Sequence, residues 1–166
     1  MSMLTFAEIV GQKSGPVKGS ITQKGRENSI GVIAASHSIV IPRDLQTGLP
    51  SGRRMHKPFV FTKELDRATP VLYNMLCTNE NIPTATFRFW APKLKSSSGV
   101  GAEIQNYTVK LTNAKIASYD FRKTNIHLAE LGSFAEYEEI VLTYQKIEWT
   151  WNDGKISAGD DWDARV

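Results

Sequence analysis

The sequence predicts a mainly β domain, a small antiparallel barrel or sandwich, with one short helix and one long irregular loop. Three observations carry this. Apolar and polar residues alternate along several separate stretches, which is the period of half-buried antiparallel strands. Helical spacing occurs in one place. The chain has 166 residues, of which 41% are hydrophobic and 22% charged, enough for one core and against general disorder. At this size about 68–70% of the unfolded chain's surface is buried on folding, so no staples are required. The single cysteine, Cys77, excludes an internal disulfide framework.

The elements follow in order. Residues 4–10 and 19–23 are short strand candidates, and 29–41 is a long β-rich run that Pro42 stops. Residues 42–56 then hold two prolines, two glycines and three arginines with little periodicity, an extended loop of the kind that is usually functional or disordered. A short strand is expected at 58–62. In the helix, over 69–78, Thr69 is read as the N-cap and Pro70 as the first helical residue. Val71, Leu72, Met75 and Leu76 form its apolar face, and Asn79 and Pro83 end it. A helix this short needs a sheet to pack on. Ala85, Phe87 and Phe89 alternate with Thr86, Arg88 and Trp90, and Tyr107, Val109 and Leu111 repeat the pattern. Residues 93–102 read as a Ser/Gly hairpin loop. The segment from Ile140 is apolar on both faces, then resolves into Ile147, Trp149 and Trp151 opposite Lys146, Glu148 and Thr150. Such a strand is covered on both sides at one end only. The expected core is Phe59, Phe87, Phe89, Val109 and Leu111 around the helix face.

Catalytic constellations are absent from the sequence. His37, His56 and His127 are far apart and lack metal-ligand spacing. There is no phosphate loop and no GxSxG elbow. Asp160, Asp161 and Asp163 read as a solvated acidic tail, Glu136, Glu138 and Glu139 as charges that flank an aggregation-prone strand, and Cys77 as buried filler. No enzyme activity, metal or cofactor is expected. No apolar run reaches the ~20 residues of a membrane helix. The first residues lack a basic n-region and an apolar h-region, so no signal peptide is expected.

Charge is unevenly spread. Residues 1–129 carry 17 Lys/Arg and 8 Asp/Glu, a net of +9, whereas residues 130–166 carry 3 and 9, a net of −6. A basic β-barrel with Arg53, Arg54, His56 and Lys57 clustered beside a loop permits a nucleic-acid-binding reading. That reading wants aromatic side chains among the basic ones, and this loop has none. It stands as the alternative to the reading that follows.

The run 52–73, GRRMHKPFVFTKELDRATPVLY, resembles a signature of the Hcp (haemolysin-coregulated protein) family. Lys18-Gly19-Ser20 with Arg26-Glu27-Asn28-Ser29-Ile30, the stretch YTVKLTNAKI at 107–116, and EIVLTYQKIEWTWNDG at 139–154 with Asp160-Asp161-Trp162 agree with it in the right order. The resemblance implies one domain over 1–166: an antiparallel β-barrel with a flanking helix and an extended loop, similar to phage tail-tube proteins. It implies a structural subunit of the type VI secretion system inner tube, not an enzyme. Hexameric rings, joined head to tail, would stack and carry or protect small effectors. Expected partners are further copies, effectors in the channel, and spike-tip and sheath components, with no nucleic acid and no membrane insertion. The protein would reside in the bacterial cytoplasm before firing and then be exported through the apparatus. No C-terminal toxin extension is expected after Trp162. A head-to-tail ring joins two different surfaces, which the charge asymmetry can supply. Candidate ring or stacking contacts are therefore Arg43, Asp44, Arg53, Arg54, His56 and Lys57 on and beside the loop. On the acidic side they are Glu136, Glu138, Glu139, Asp160 and Asp161, with Trp162 adjacent. Arg53 and Arg54 are expected to meet an acidic edge of a neighbouring copy.

Overall fold

A computed structural model describes residues 4–92, 103–128, 130 and 135–163. The expected loop at 93–102 lies outside the described residues. The described residues form eleven strands and one α-helix: β1 (Leu4–Gly11), β2 (Gly15–Val17), β3 (Ile30–Ser36), β4 (Ile39–Val40), β5 (Met55–His56), β6 (Phe59–Glu64), α1 (Thr69–Cys77), β7 (Ile82–Pro92), β8 (Glu103–Arg122), β9 (Tyr137–Thr143), β10 (Lys146–Trp151) and β11 (Ile156–Asp161). Six of them close a ring of antiparallel pairings, β8-β7-β1-β3-β6-β9 and back to β8. The fold is thus an antiparallel β-barrel. Register shifts at Val32/Ala34, Phe89/Trp90 and Ile116/Ser118 are bulges that sharpen the twist and let the sheet curl shut.

β8 organises the molecule. One edge pairs with β7, while the other pairs with β10 through residues 107–112 and with β9 through residues 115–122. β9 and β10 run on along this edge, interrupted only at Tyr144 and Gln145. β11 then folds back on β10, so β10 and β11 extend the sheet beyond the closed barrel. Burial follows this geometry. Ile147 is fully buried, Trp149 half-buried and Trp151 exposed.

The core holds Phe59, Phe61, Phe87, Leu111, Ile140 and Leu142 around Leu72 and Met75 of α1, all buried. Fully burying one such side chain contributes about 1.5–3 kcal/mol. Phe87 packs on both Phe59 and Phe61, with ring centroids 4.5 and 5.1 Å away. Val71, Leu76 and Phe89 are only partly buried at the margin of this core.

Three expectations change. Thr69 is the first helical residue and Ala68 the N-cap, with no side-chain cap bond at that position. Asp66 Oδ1 accepts the Ala68 N–H at 2.9 Å instead, which leaves the Thr69 hydroxyl for another task. Residues 19–23 are not a strand: Gly19 N–H donates to Asn28 O at 2.8 Å and Asn28 N–H to Ile21 O at 2.9 Å, but Gly25 and Asn28 have φ of 82° and 64°. Those left-handed turns break a regular ladder. A Cβ on Gly19 would lie 2.1 Å from Ser29 O, so this loop is pressed against the start of β3. Cys77 is exposed rather than buried, because it falls on the solvent side of α1.

Candidate assembly site

The segment between β4 and β5 is built, not slack. Ile39 pairs with His56 and Val40 with Met55, and a further bridge joins Arg43 to Pro50. At the tip, Asp44 N–H donates to Leu49 O and Gly48 N–H to Asp44 O, each at 2.9 Å. The Asp44 carboxylate accepts the N–H groups of Gln46 and Thr47 at 3.0 and 2.8 Å, and the Thr47 hydroxyl at 2.9 Å. These bonds, the Thr47 N–H first, hold its carboxyl below the usual range. Gly48, with φ of 71°, permits the turn. Arg43 donates to Gly48 O at 3.1 Å. The extended loop is therefore a projecting hairpin. Ile41, Leu45, Leu49 and Met55 stand exposed along it, Leu45 completely.

The hairpin is fastened at its base. Arg54 grips Asp160 bidentately, Nε to Oδ2 at 2.5 Å and Nη2 to Oδ1 at 2.9 Å, and donates to Asp161 O at 2.8 Å. His56 Nε2 lies 2.7 Å from Asp160 Oδ2, and its Nδ1 lies 2.9 Å from the Tyr144 hydroxyl. His37 Nε2 reaches the same hydroxyl at 2.5 Å. Arg54 and His56 together hold the Asp160 carboxyl below its ordinary value. Burial, and the nearby Asp160 charge, push the Tyr144 phenol up to about 12. Burial and the nearby His56 push the His37 imidazole down.

The expected contact residues thus fall into different places. Arg54 and Asp160 meet within one chain, because β11 passes the hairpin base, so Arg54 has its carboxylate without a neighbour. Arg53 and Lys57 are exposed, as is Trp162, which faces a shallow pocket with His56, Pro58 and Tyr144. Arg43 and Asp44 shape the hairpin tip. Glu136 pairs with Lys123 at 2.5 Å, Glu139 is half-buried opposite Thr62, and Asp161 presents its carbonyl to Arg54.

Glu138 is a correction. It is fully buried and removed from any contact surface, because it is the cross-strand partner of Lys63 on the core side of β6 and β9. Lys63 Nζ lies 2.6 Å from Glu138 Oε2, 2.8 Å from Asp66 Oδ1 and 3.0 Å from both Thr69 Oγ1 and Glu64 O. The hydroxyls of Thr69 and Tyr119 donate to Glu138 Oε2 at 2.9 and 2.7 Å. Burial, then the bonded carboxylate, drive the Tyr119 phenol strongly upward. This network ties β6, β8 and β9 to the first turn of α1.

Sequence reasoning missed Lys63, Tyr144 and His37. Lys63 was detectable: it continues the alternation of Phe59 and Phe61 on a buried face. Tyr144 ends the apolar run of β9, where the strand breaks. His37 carries no local signal. Among the described residues no cluster of three or more His, Cys, Asp or Glu side chains could hold a metal ion, and no helix is long and apolar enough to cross a membrane.

Two exposed surfaces complete the site. β11 pairs only with β10 among the described strands, so its outer edge offers unpaired backbone groups. The solvent face of β7, β8, β10 and β11 is a polar ladder. Its rows in register are Thr84-Thr112-Lys146-Asp161, Thr86-Lys110-Glu148-Gly159 and Arg88-Thr108-Thr150-Ser157.

Comparison with known proteins places this architecture. Residues 6–151 match the family model described as "Type VI secretion system effector, Hcp". The chain is 30% identical, over all of its length and 99% of the relative, to the "Major exported protein" of Pseudomonas aeruginosa. Among solved structures it resembles a crystal structure of an Hcp protein with a TM-score of 0.86 and 28% identity, covering 99% of this chain and 100% of that one. The Hcp1 protein of E. coli EAEC 042, in a mutant form, matches with a TM-score of 0.82 and 32% identity over 97% and 99% of the two chains. The secreted Hcp3 protein of Pseudomonas aeruginosa matches with a TM-score of 0.75 and 25% identity over 98% and 100%. A barrel closed by the long β8, a projecting hairpin fastened at its base and agreement along nearly the whole chain lead to one conclusion: this protein belongs to the Hcp family of type VI secretion system proteins.

Proposed function

We propose that the chain is a structural subunit of a type VI inner tube, acting as one domain without catalysis. Six copies close head to tail into a ring, rings stack into a tube, and small effectors travel in the channel. The subunit waits in the bacterial cytoplasm and leaves through the apparatus, with spike-tip and sheath components as partners. Family membership supports the reading, and the name of the Pseudomonas relative supports export. The observation that carries the assembly is the projecting hairpin. An ordered arm with exposed Leu45, Leu49 and Met55, bonded at tip and base, has little role in a lone chain and is shaped to contact another. The β11 edge offers a second, different surface, as a head-to-tail ring requires. The polar ladder of threonines with offsetting Lys and Glu suits a channel wall that must release what passes. Light scattering on the purified protein tests the reading. The expected mass is that of a hexamer of the 18.5 kDa chain. A monomer at all concentrations up to the millimolar range overturns it.

A further inference from the structure

The base of the hairpin contains more titratable groups than fastening requires. Arg54 and Asp160 alone would make a bidentate pair, which is already the strong form of such contacts. Yet His56, Tyr144 and His37 continue the chain of contacts from Asp160 through to the turn between β3 and β4. The His56 side chain is 5% exposed, and His37 packs against Phe59, with ring centroids 5.8 Å apart. The charged and titratable groups around the imidazoles are Arg54 and Lys57 from the hairpin and its exit, Asp160 and Asp161 from β11, and Tyr144 between β9 and β10.

The geometry points to a two-proton latch: the row His37–Tyr144–His56–Asp160 holds the hairpin on the barrel with no added proton or with one, and with two it loosens at Tyr144, leaving the grip on Asp160 alone. The reason is donor arithmetic. One phenol carries one hydrogen, and it sits between two ring nitrogens. With both imidazoles neutral, His56 donates from Nε2 to Asp160, Tyr144 donates to His56 Nδ1, and His37 donates from Nε2 to the Tyr144 oxygen. All three contacts are satisfied. In the form that carries one added proton on His56, that ring faces the Asp160 carboxylate at 2.7 Å. His56 then donates from both nitrogens, Tyr144 turns its hydrogen to His37 Nε2, and the His37 hydrogen moves to Nδ1. All three contacts survive: the two at the Tyr144 hydroxyl reverse direction, and His56 Nε2 still donates to Asp160. A second proton, on His37, leaves the phenol facing two donors and no acceptor among these groups, and places two cations around one oxygen.

Burial and the neighbouring His56 already disfavour a charged His37. Its folded-state value lies below the unfolded one, so the unfolded or loosened state binds the proton better. Stability from this group is therefore present above about pH 6.5 and declines as the pH falls through that value toward the folded one. Asp160, also depressed, yields only at much lower pH. The latch is a property of one chain. Its consequence for assembly rests on the tube reading: a loosened hairpin holds its tip less firmly in one direction, so acid weakens contacts between copies.

Hydrogen exchange of the backbone amides at 42–56, corrected for intrinsic rates, tests the latch in the full chain. Protection should fall by up to about tenfold per pH unit below about pH 6.5, where the loosened hairpin binds the His37 proton and the latched one does not yet, as linkage dictates, while β7 and β8 amides stay protected. His37→Gln keeps a neutral N–H donor for Tyr144, so its hairpin should be protected at neutral pH and lose the acid response. Nitrogen-15 spectra of the histidine rings in the unaltered protein give a readout that needs no variant. The His37 hydrogen should move from Nε2 to Nδ1 as the first proton binds. Flat hairpin protection between neutral and acidic pH, or a fixed His37 tautomer, overturns the latch. Sedimentation in parallel separates the two readings. Monomers at neutral pH with a responsive hairpin count against the ring alone, and rings with an unresponsive hairpin count against the latch alone.

Discussion

Two clusters of opposite charge differ sharply in burial. Lys63 and Glu138 are fully enclosed, with Asp66, Thr69 and Tyr119 around them. Arg54 and Asp160 keep 22% and 29% of their side-chain surface exposed. The first cluster stands at the junction of barrel and helix, the second at the junction of barrel and hairpin. Burial changes what a polar contact is for. Inside, the low dielectric makes each partner indispensable, because a lone charge there is very costly. At the hairpin base, water can replace a lost partner, so the contact sets the position of an arm and not the survival of the fold.

The largest expected effect breaks the inner cluster. Lys63→Met should destabilise the barrel by about 3–5 kcal/mol, because Glu138 is left buried and unpaired. Urea unfolding followed by circular dichroism measures this. Adding Glu138→Leu should recover much of the loss, since an apolar pair of similar size removes the orphaned charge. If the double variant is no better than the single one, the cost lies in packing and not in charge. A smaller effect follows from Tyr119→Phe, which removes one hydrogen bond to the buried carboxylate and should cost about 1.5–3 kcal/mol.

The outer cluster should respond differently. Arg54→Gln should leave the urea midpoint unchanged and speed amide exchange throughout 42–56. Arg53→Glu should do neither, since Arg53 is exposed. If Arg53 contacts a neighbouring copy, its charge reversal should weaken stacking and flatten the salt dependence of that step. A pair of variants one residue apart thus separates positioning of the arm from contact by the arm. Equal effects of the two on exchange would erase the distinction.

The barrel strands were largely legible in the sequence because alternation is a backbone property. Phe87 and Val109, or Ala85 and Leu111, face the core in register as their spacing requires. The helix was legible from Val71, Leu72, Met75 and Leu76, although its cap was not. Thr69 had two possible uses, and the buried Lys63–Glu138 pair decided between them. The site was less legible, because it is made of long-range pairs. Arg54 and Asp160 were each singled out, yet which chain supplies the partner depends on where β11 returns, and no local pattern records that. His37 and Tyr144 meet across more than a hundred residues, and nothing in either segment announces the other.

The central claim is that the hairpin is the arm by which copies of this chain join. Electron cryomicroscopy of the purified protein at neutral pH tests it most directly. Six-fold rings are expected, in which the Asp44–Leu49 tip rests on a neighbouring subunit or ring and Arg54 still grips Asp160 of its own chain. Single barrels, or rings whose hairpins point into solvent, would contradict it.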